Sequence, residues 1–229
     1  MKVEKTINQI FKTIFEVECN YTKEELLKDF AFDVKLPQKV YDSTTNEETW
    51  AISINPCKFI TNENQDKIDN EKGWMLEKKD IKSIDELIEI WKSINYTTTE
   101  RVYNSINVSE SDTIYNSENI FRSSNLSGCK NAIYSDGTQN SEYIIASSRS
   151  NQLAYCIRVD DSTNCTNSYN VICSGKITNS MFIQDCSNLY ECIFCSHISN
   201  KRYCIANMQF EKEEYFAIKE QIIKWIISK

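Results

Sequence analysis

The residues of this 229-residue chain whose types and spacing could do chemistry lie close together in its last third. Cys192 and Cys195 form a CxxC pair, with Cys186, His197 and Cys204 nearby. Thiolates so closely spaced could fill a tetrahedral zinc site, which makes Cys186, Cys192, Cys195 and Cys204 the metal candidates. The CxxC pair could also do redox work, although one such pair is a weak signal. His197 is the only histidine. With a thiol it would make a nucleophilic Cys–His pair, but no third group that would orient the imidazole is identifiable. Asp160 and Asp161, with Arg158 and Asp185, form the one carboxylate cluster of the region from 101 to 210. Paired acids on an exposed β-helical face would suit an enzyme acting on a polysaccharide.

Each of these groups also has a structural explanation. Thiols three apart on an extended strand point to opposite faces unless a turn intervenes, and internal repeats place Cys186 and Cys192 among stacked interior residues. Adjacent acids at a turn are commonly just solvated. The expectation is therefore core cysteines, no catalytic residue and no cofactor, with zinc as the alternative.

The elements that would position these residues follow from a change of texture at Glu100. Beyond it the helical period disappears, charge thins out, and Asn, Ser, Tyr, Cys and Ile dominate. Four segments beginning at Asn116, Asn140, Asn167 and Asn188 align, their starts separated by 24, 27 and 21 residues. Shorter echoes begin at Lys130, Asn151 and Asn179. Such repetition predicts a β-solenoid over 101–210, with at least two strands in each turn. Cys165, Asn167, Tyr169, Val171 and Cys173 match Cys186, Asn188, Tyr190, Cys192 and Phe194, an alternation that predicts one inward face of a strand. Four or five turns at about 4.8 Å would make a rod roughly 20 to 25 Å long. Asn at the corners would tolerate left-handed backbone and bond to the Asn of the next turn.

The flanking segments read as caps. Tyr215, Ile218, Ile222, Trp225 and Ile226 recur at helical spacing within 211–229, a capping C-terminal helix suited to the last turn. Residues 1–100 read as a small α+β domain that would cover the other end. Its elements are a helix over about 3–17, a second helix capped by Thr22 and Glu25, a hairpin between Lys39 and Ile54, a polar loop over 62–72 and a helix starting at Ser83. The fold class is thus mainly β, a solenoid preceded by an α+β unit.

Charge narrows the partners. Of the net −7, residues 101–210 contribute nine acids against eight bases and residues 1–100 twenty against fourteen, so the acidity belongs to the first hundred residues. No basic face for a phosphate backbone is visible, which argues against nucleic acid, and the near-neutral coil argues against a DNA mimic. The mixed-charge start, without a continuous apolar run, predicts neither a signal peptide nor a membrane span. A cytoplasmic location with reduced thiols is the corresponding expectation.

From about Cys165 to Tyr215 the chain resembles an uncharacterised family of cysteine-rich β-helical proteins of reduced-genome bacteria and phages, whose coils end in a segment like Tyr203-Cys204-Ile205-Ala206-Asn207-Met208-Gln209-Phe210-Glu211-Lys212-Glu213-Glu214-Tyr215. The resemblance implies a solenoid but brings no activity or catalytic residue. The coil here has fewer cysteines than is usual, and the upstream CxxC pairs frequent in that family are missing. A flat solenoid face rich in Tyr, Asn and Ser suits binding. The function expected is a non-enzymatic structural or interaction module with a protein partner or self-assembly, such as a phage virion component. The alternatives are a metal-binding protein and a β-helix enzyme.

Overall fold

From Asn104 to Ala206 every third residue has a positive φ, without a single interruption. In the computed structural model, which describes residues 3–54, 58–67 and 74–228, that rule builds the solenoid. Asn holds many of these positions and Gly two, Gly128 and Gly137. Asn is the residue with a Cβ that best tolerates left-handed backbone, so a chain with only 4 glycines can still turn this often. Two positions before a left-handed residue the side chain points inward, as in Ile114, Ser117, Ile120, Ser123, Leu126 and Cys129, all buried, whereas Lys201 in the last turn is exposed. Strands stack in parallel with a register of twelve, for example Ala132 on Ile144 and Cys192 on Cys204. Four triplets therefore close one turn, and about nine turns span 102–205.

Two expectations are corrected here. Nine turns at about 4.8 Å give a rod of roughly 43 Å, not 20 to 25 Å. The inward period is three rather than two: Cys165 and Val171 point in, but Asn167 and Cys173 are left-handed corner residues and Tyr169 faces outward. The spacings of 24, 27 and 21 are all multiples of three, so the aligned segments share the phase of the triplet rather than that of the turn.

The interior is wired as well as packed. An inward serine donates to the carbonyl two residues before it and accepts from the backbone amide twelve residues after it. Ser123 Oγ donates to Phe121 O at 2.9 Å and accepts from Ser135 N at 3.0 Å. Ser174 repeats this with Ile172 O at 2.8 Å and Cys186 N at 3.0 Å. Outside, asparagine ladders join successive corners, as in Asn107 to Asn119 at 3.0 Å, Asn119 to Asn131 at 3.1 Å and Asn188 to Asn200 at 2.7 Å. Aromatic residues stack in the same way, Tyr143 on Tyr155 and Phe182 on Phe194 with ring centroids 4.5 Å apart.

One outward column is apolar: Phe121, Ile133, Ile145, Ile157, Tyr169, Met181, Ile193 and Ile205 follow one another at intervals of twelve. The helices α1 (Val3–Phe15) and α2 (Lys23–Asp29) cover it with Ile7, Ile10, Phe11, Phe15 and Leu26, and Phe30, which caps the end of α2, joins them. These helices lie along the side of the coil rather than over its first turn, because that is where the apolar column runs. The Thr22–Glu25 capping box starts α2 as expected. Next come β1 (Gln38–Tyr41) and β2 (Glu48–Ala51), the expected hairpin. Its buried face carries Val40, Thr49 and Ala51. Then follow β3 (Lys58–Thr61), α3 (Asn62–Gln65), α4 (Ile84–Ile94) and β4 (Tyr96–Thr99). Within the stretch read as a polar loop, residues 62–65 thus form a single helical turn, and residues 68–72 lie outside the described residues.

The coil opens with β5 (Val102–Tyr103) and β6 (Ile106–Ser109). It closes with Met208–Gln209, which pairs antiparallel with Cys204 and Ile205. From there α5 (Lys212–Ile227) folds back beside the last turns and buries Tyr215 and Ile226.

Candidate interaction surface

The triplet rule decides the fate of the sequence-predicted site residues. Cys186, Cys192, Cys195 and Cys204 all point into the coil, because three residues here span one side of a turn rather than opposite faces of a strand. The structure stacks Cys192 on Cys204, with Cys195 the next inward residue after Cys192. The neighbouring Cys195 thiol, followed by burial, pushes the Cys192 thiol up, and Cys192 in turn lowers Cys195. Cys186 sits one turn below Ile198. These sulfurs occupy the serine position of the ladder: Cys186 Sγ donates to Gln184 O at 3.2 Å and Cys195 Sγ to Ile193 O at 3.4 Å. Among the described residues no three His, Cys, Asp or Glu side chains are arranged to hold a metal ion.

The exposed groups line an outer corner of the coil, where Asp161, Cys173, Asp185 and His197 follow one another at intervals of twelve. His197 lies on the outside, its Nε2 3.7 Å from Asp185 and its side chain 73% exposed, so no buried thiol meets it. Asp160 accepts from Ser148 Oγ at 2.5 Å and pairs with Arg149. Arg158 turns away to Asp33, to Phe30 O at 2.6 Å and to the Phe32 ring. The carboxylates of Asp160, Asp161 and Asp185 therefore do not converge as a catalytic pair with Arg158. The hollow beside Asp160 holds only about 180 Å³ and contains neither Asp161 nor Asp185.

The candidate surface is the open first turn. Throughout the coil a left-handed residue donates its N–H to the carbonyl thirteen residues earlier, as Asn116 does to Tyr103 and Arg122 to Ser109, both at 3.0 Å. An outward residue donates to the carbonyl eleven residues later, as Ile106 does to Ser117 at 3.1 Å. The corresponding amides of Asn104, Asn107 and Glu110 and carbonyls of Ser105 and Val108 have no turn beneath them. Among the described residues no strand pairs the outer edge of β5 or β6. Val102, Ser105 and Val108, inward residues of this turn, are only half-buried, and Ile106 is 60% exposed.

A cleft of about 700 Å³ opens on this edge, walled by Glu47, Glu48, Glu63, Asp66 and Glu100 with Lys67 the one base. Burial pushes the Glu100 carboxyl up. Asp42 holds the wall together. It accepts from Thr44 N at 2.7 Å, Thr61 N at 2.8 Å and Asn64 Nδ2 at 3.0 Å, tying the hairpin turn to β3 and α3. Burial opposes its ionisation, but these hydrogen bonds together hold the carboxyl well below the ordinary carboxylate range. None of the cleft residues stood out in the sequence. The available signal was the acid excess of the first hundred residues, which does not say where the acids converge. No family model, curated protein or solved structure matches the chain.

Proposed function

We propose that the protein is a non-enzymatic interaction module whose open first turn receives an extended, basic segment of a partner protein as an added strand. The observation that carries this reading is the unpaired β5–β6 edge inside a cleft rimmed by carboxylates. An unpaired strand edge offers main-chain affinity to an extended peptide, pockets beside it select side chains, and the acidic rim selects Lys and Arg. The other end of the coil is closed by Met208–Gln209, so the two ends do not match and head-to-tail stacking of copies is disfavoured. Burial of Cys186, Cys192, Cys195 and Cys204, and the placing of Asp161, Asp185 and His197 along an outer corner, give the enzymatic and metal readings less support.

The test is a fluorescence-anisotropy titration of the full chain with a labelled peptide of alternating Lys and Val. Binding should be weakened at least about tenfold, the scale of one lost charge-assisted contact, by Glu47→Gln, Glu63→Gln and Asp66→Asn together. It should also weaken as salt rises. A peptide that fails to bind, or binds equally well to the triple variant, would overturn the reading.

A further inference from the structure

Aromatic rings from α2, the coil and α5 surround one hollow beside the solenoid. Tyr21 and Phe30 flank α2, Tyr169 and Phe182 stand outward on successive turns, and Trp225 comes from α5. The hollow holds about 500 Å³, within the range of small-molecule sites. Ring centroids are 5.2 Å apart for Tyr21 and Phe30, 6.0 Å for Phe30 and Tyr169, 5.2 Å for Tyr169 and Phe182, and 6.1 Å for Phe182 and Trp225. Their planes meet at 89°, 55°, 73° and 48°, so the rings stand as inclined walls rather than a flat stack. The Tyr21 hydroxyl donates to Ile226 O at 3.2 Å, which ties the first wall to the helix that carries the last. Phe30 is buried at the floor, and Trp225 is 49% exposed at the rim.

Such a lining suits a cation that has no hydrogen-bond donors. The faces of aromatic rings are negative and attract a cation within about 6 Å of the centroid. The protein already uses this attraction at the edge of the hollow, where the Arg158 guanidinium lies 4.3 Å from the centre of the Phe32 ring. Fixed charge at the rim points the same way. Asp29 faces Tyr21, whose phenol is raised by burial and then by that carboxylate. Lys28, the base of the lining, acts on Glu25 instead, a carboxyl lowered by its bonds to Thr22 and then by this ammonium. Arg158 is itself neutralised by Asp33 at 2.9 Å. A primary ammonium would bring three N–H donors in need of acceptors, yet Phe30 O already accepts from Arg158 at 2.6 Å and the Tyr21 hydroxyl is engaged with Ile226. A quaternary ammonium makes no such demand and is held by ring faces alone.

We propose that this hollow binds a trimethylammonium group, carried either by a small molecule or by a trimethylated lysine side chain. The column that rises from Ser109 of the first turn passes Phe121, Ile133, Ile145 and Ile157 before it reaches Tyr169, so the site is remote from the cleft and independent of it. Isothermal titration calorimetry of the full chain with choline chloride, and separately with N-acetyl-trimethyllysine amide, should give a Kd of roughly 1 mM or tighter for at least one. The tighter of the two identifies the source. The neutral tert-butyl isostere of choline should bind at least about fivefold more weakly, the scale of a partly desolvated cation–π contact. Trp225→Leu should weaken the cation by a similar factor, and Trp225→Phe should restore most of the affinity. Asp29→Asn, a change at an exposed position, should weaken both cations and leave the isostere unaffected, with an unchanged unfolding midpoint. The chain carrying Glu47→Gln, Glu63→Gln and Asp66→Asn should bind as the unaltered protein does, which separates this site from the cleft. Failure of both cations to bind at about 10 mM, well above the expected Kd, would overturn the proposal. So would equal affinity for the isostere, binding lost in the cleft variant, or affinity unchanged by both Trp225→Leu and Asp29→Asn.

Discussion

At the scale of the residue, interior serine and cysteine do the same work. Each gives a small side chain to a narrow interior and donates back to a nearby carbonyl, and serine also accepts an amide from the next turn. Ser123→Ala would leave the buried Ser135 amide without its acceptor, at a cost of about 1 to 3 kcal/mol. Ser123→Cys should cost less, and urea denaturation midpoints would compare the two. The same geometry predicts thiol reactivity. Burial pushes Cys165 up to about 12 and raises Cys129 and Cys186. Native alkylation followed by peptide mass spectrometry should therefore modify exposed Cys173 first. The buried Cys129, Cys156, Cys165, Cys186, Cys192, Cys195 and Cys204 should react only on unfolding. Asp42 sets a pH dependence. Its folded carboxyl lies below the ordinary value, so its contribution is present above about pH 4 and is lost as pH falls further. Asp42→Ala should remove about 2 to 4 kcal/mol at neutral pH, as expected for a buried, multiply bonded carboxylate, and should flatten stability against pH in the acid range.

At the scale of the element, the corner asparagines carry the coil. Asn119 is left-handed with φ of 57° and bonds both Asn107 and Asn131. Asn119→Val should cost about 1 to 2 kcal/mol for the backbone alone, and Asn119→Gly less, again read from denaturation midpoints. Much of this level was legible in advance. The Asn, Ser and Cys texture announced a solenoid, the asparagine ladder followed from corner geometry, and the capping box of α2 and the hairpin of β1 and β2 were readable from local signals. The turn length was not. Each triplet resembles every other triplet, so alignment by residue type locks onto multiples of three and misses the twelve-residue closure, which only the stacking of Ala132 on Ile144 and its fellows reveals. The reading of Cys192 and Cys195 as facing opposite ways failed for the same reason. It assumed a straight strand where Phe194 is a left-handed corner between them.

At the scale of the whole molecule, the two ends of the coil differ and the sides are divided. The apolar column is consumed by α1, α2 and α5, the C-terminal end is closed by its own chain, and the first turn is left open beneath an acidic rim. That asymmetry supports a docking end rather than an active site. It was invisible in sequence because Glu47, Glu63, Asp66, Glu100 and Val108 meet only after the hairpin and α3 settle against the first turn.

The most direct measurement is amide hydrogen exchange on the full chain with and without the Lys–Val peptide. Strand addition predicts that the amides of Asn104, Asn107 and Glu110 exchange fast in the free protein and become protected on binding, while the interior turns stay unchanged. Binding that leaves those three amides exchanging as before would contradict it.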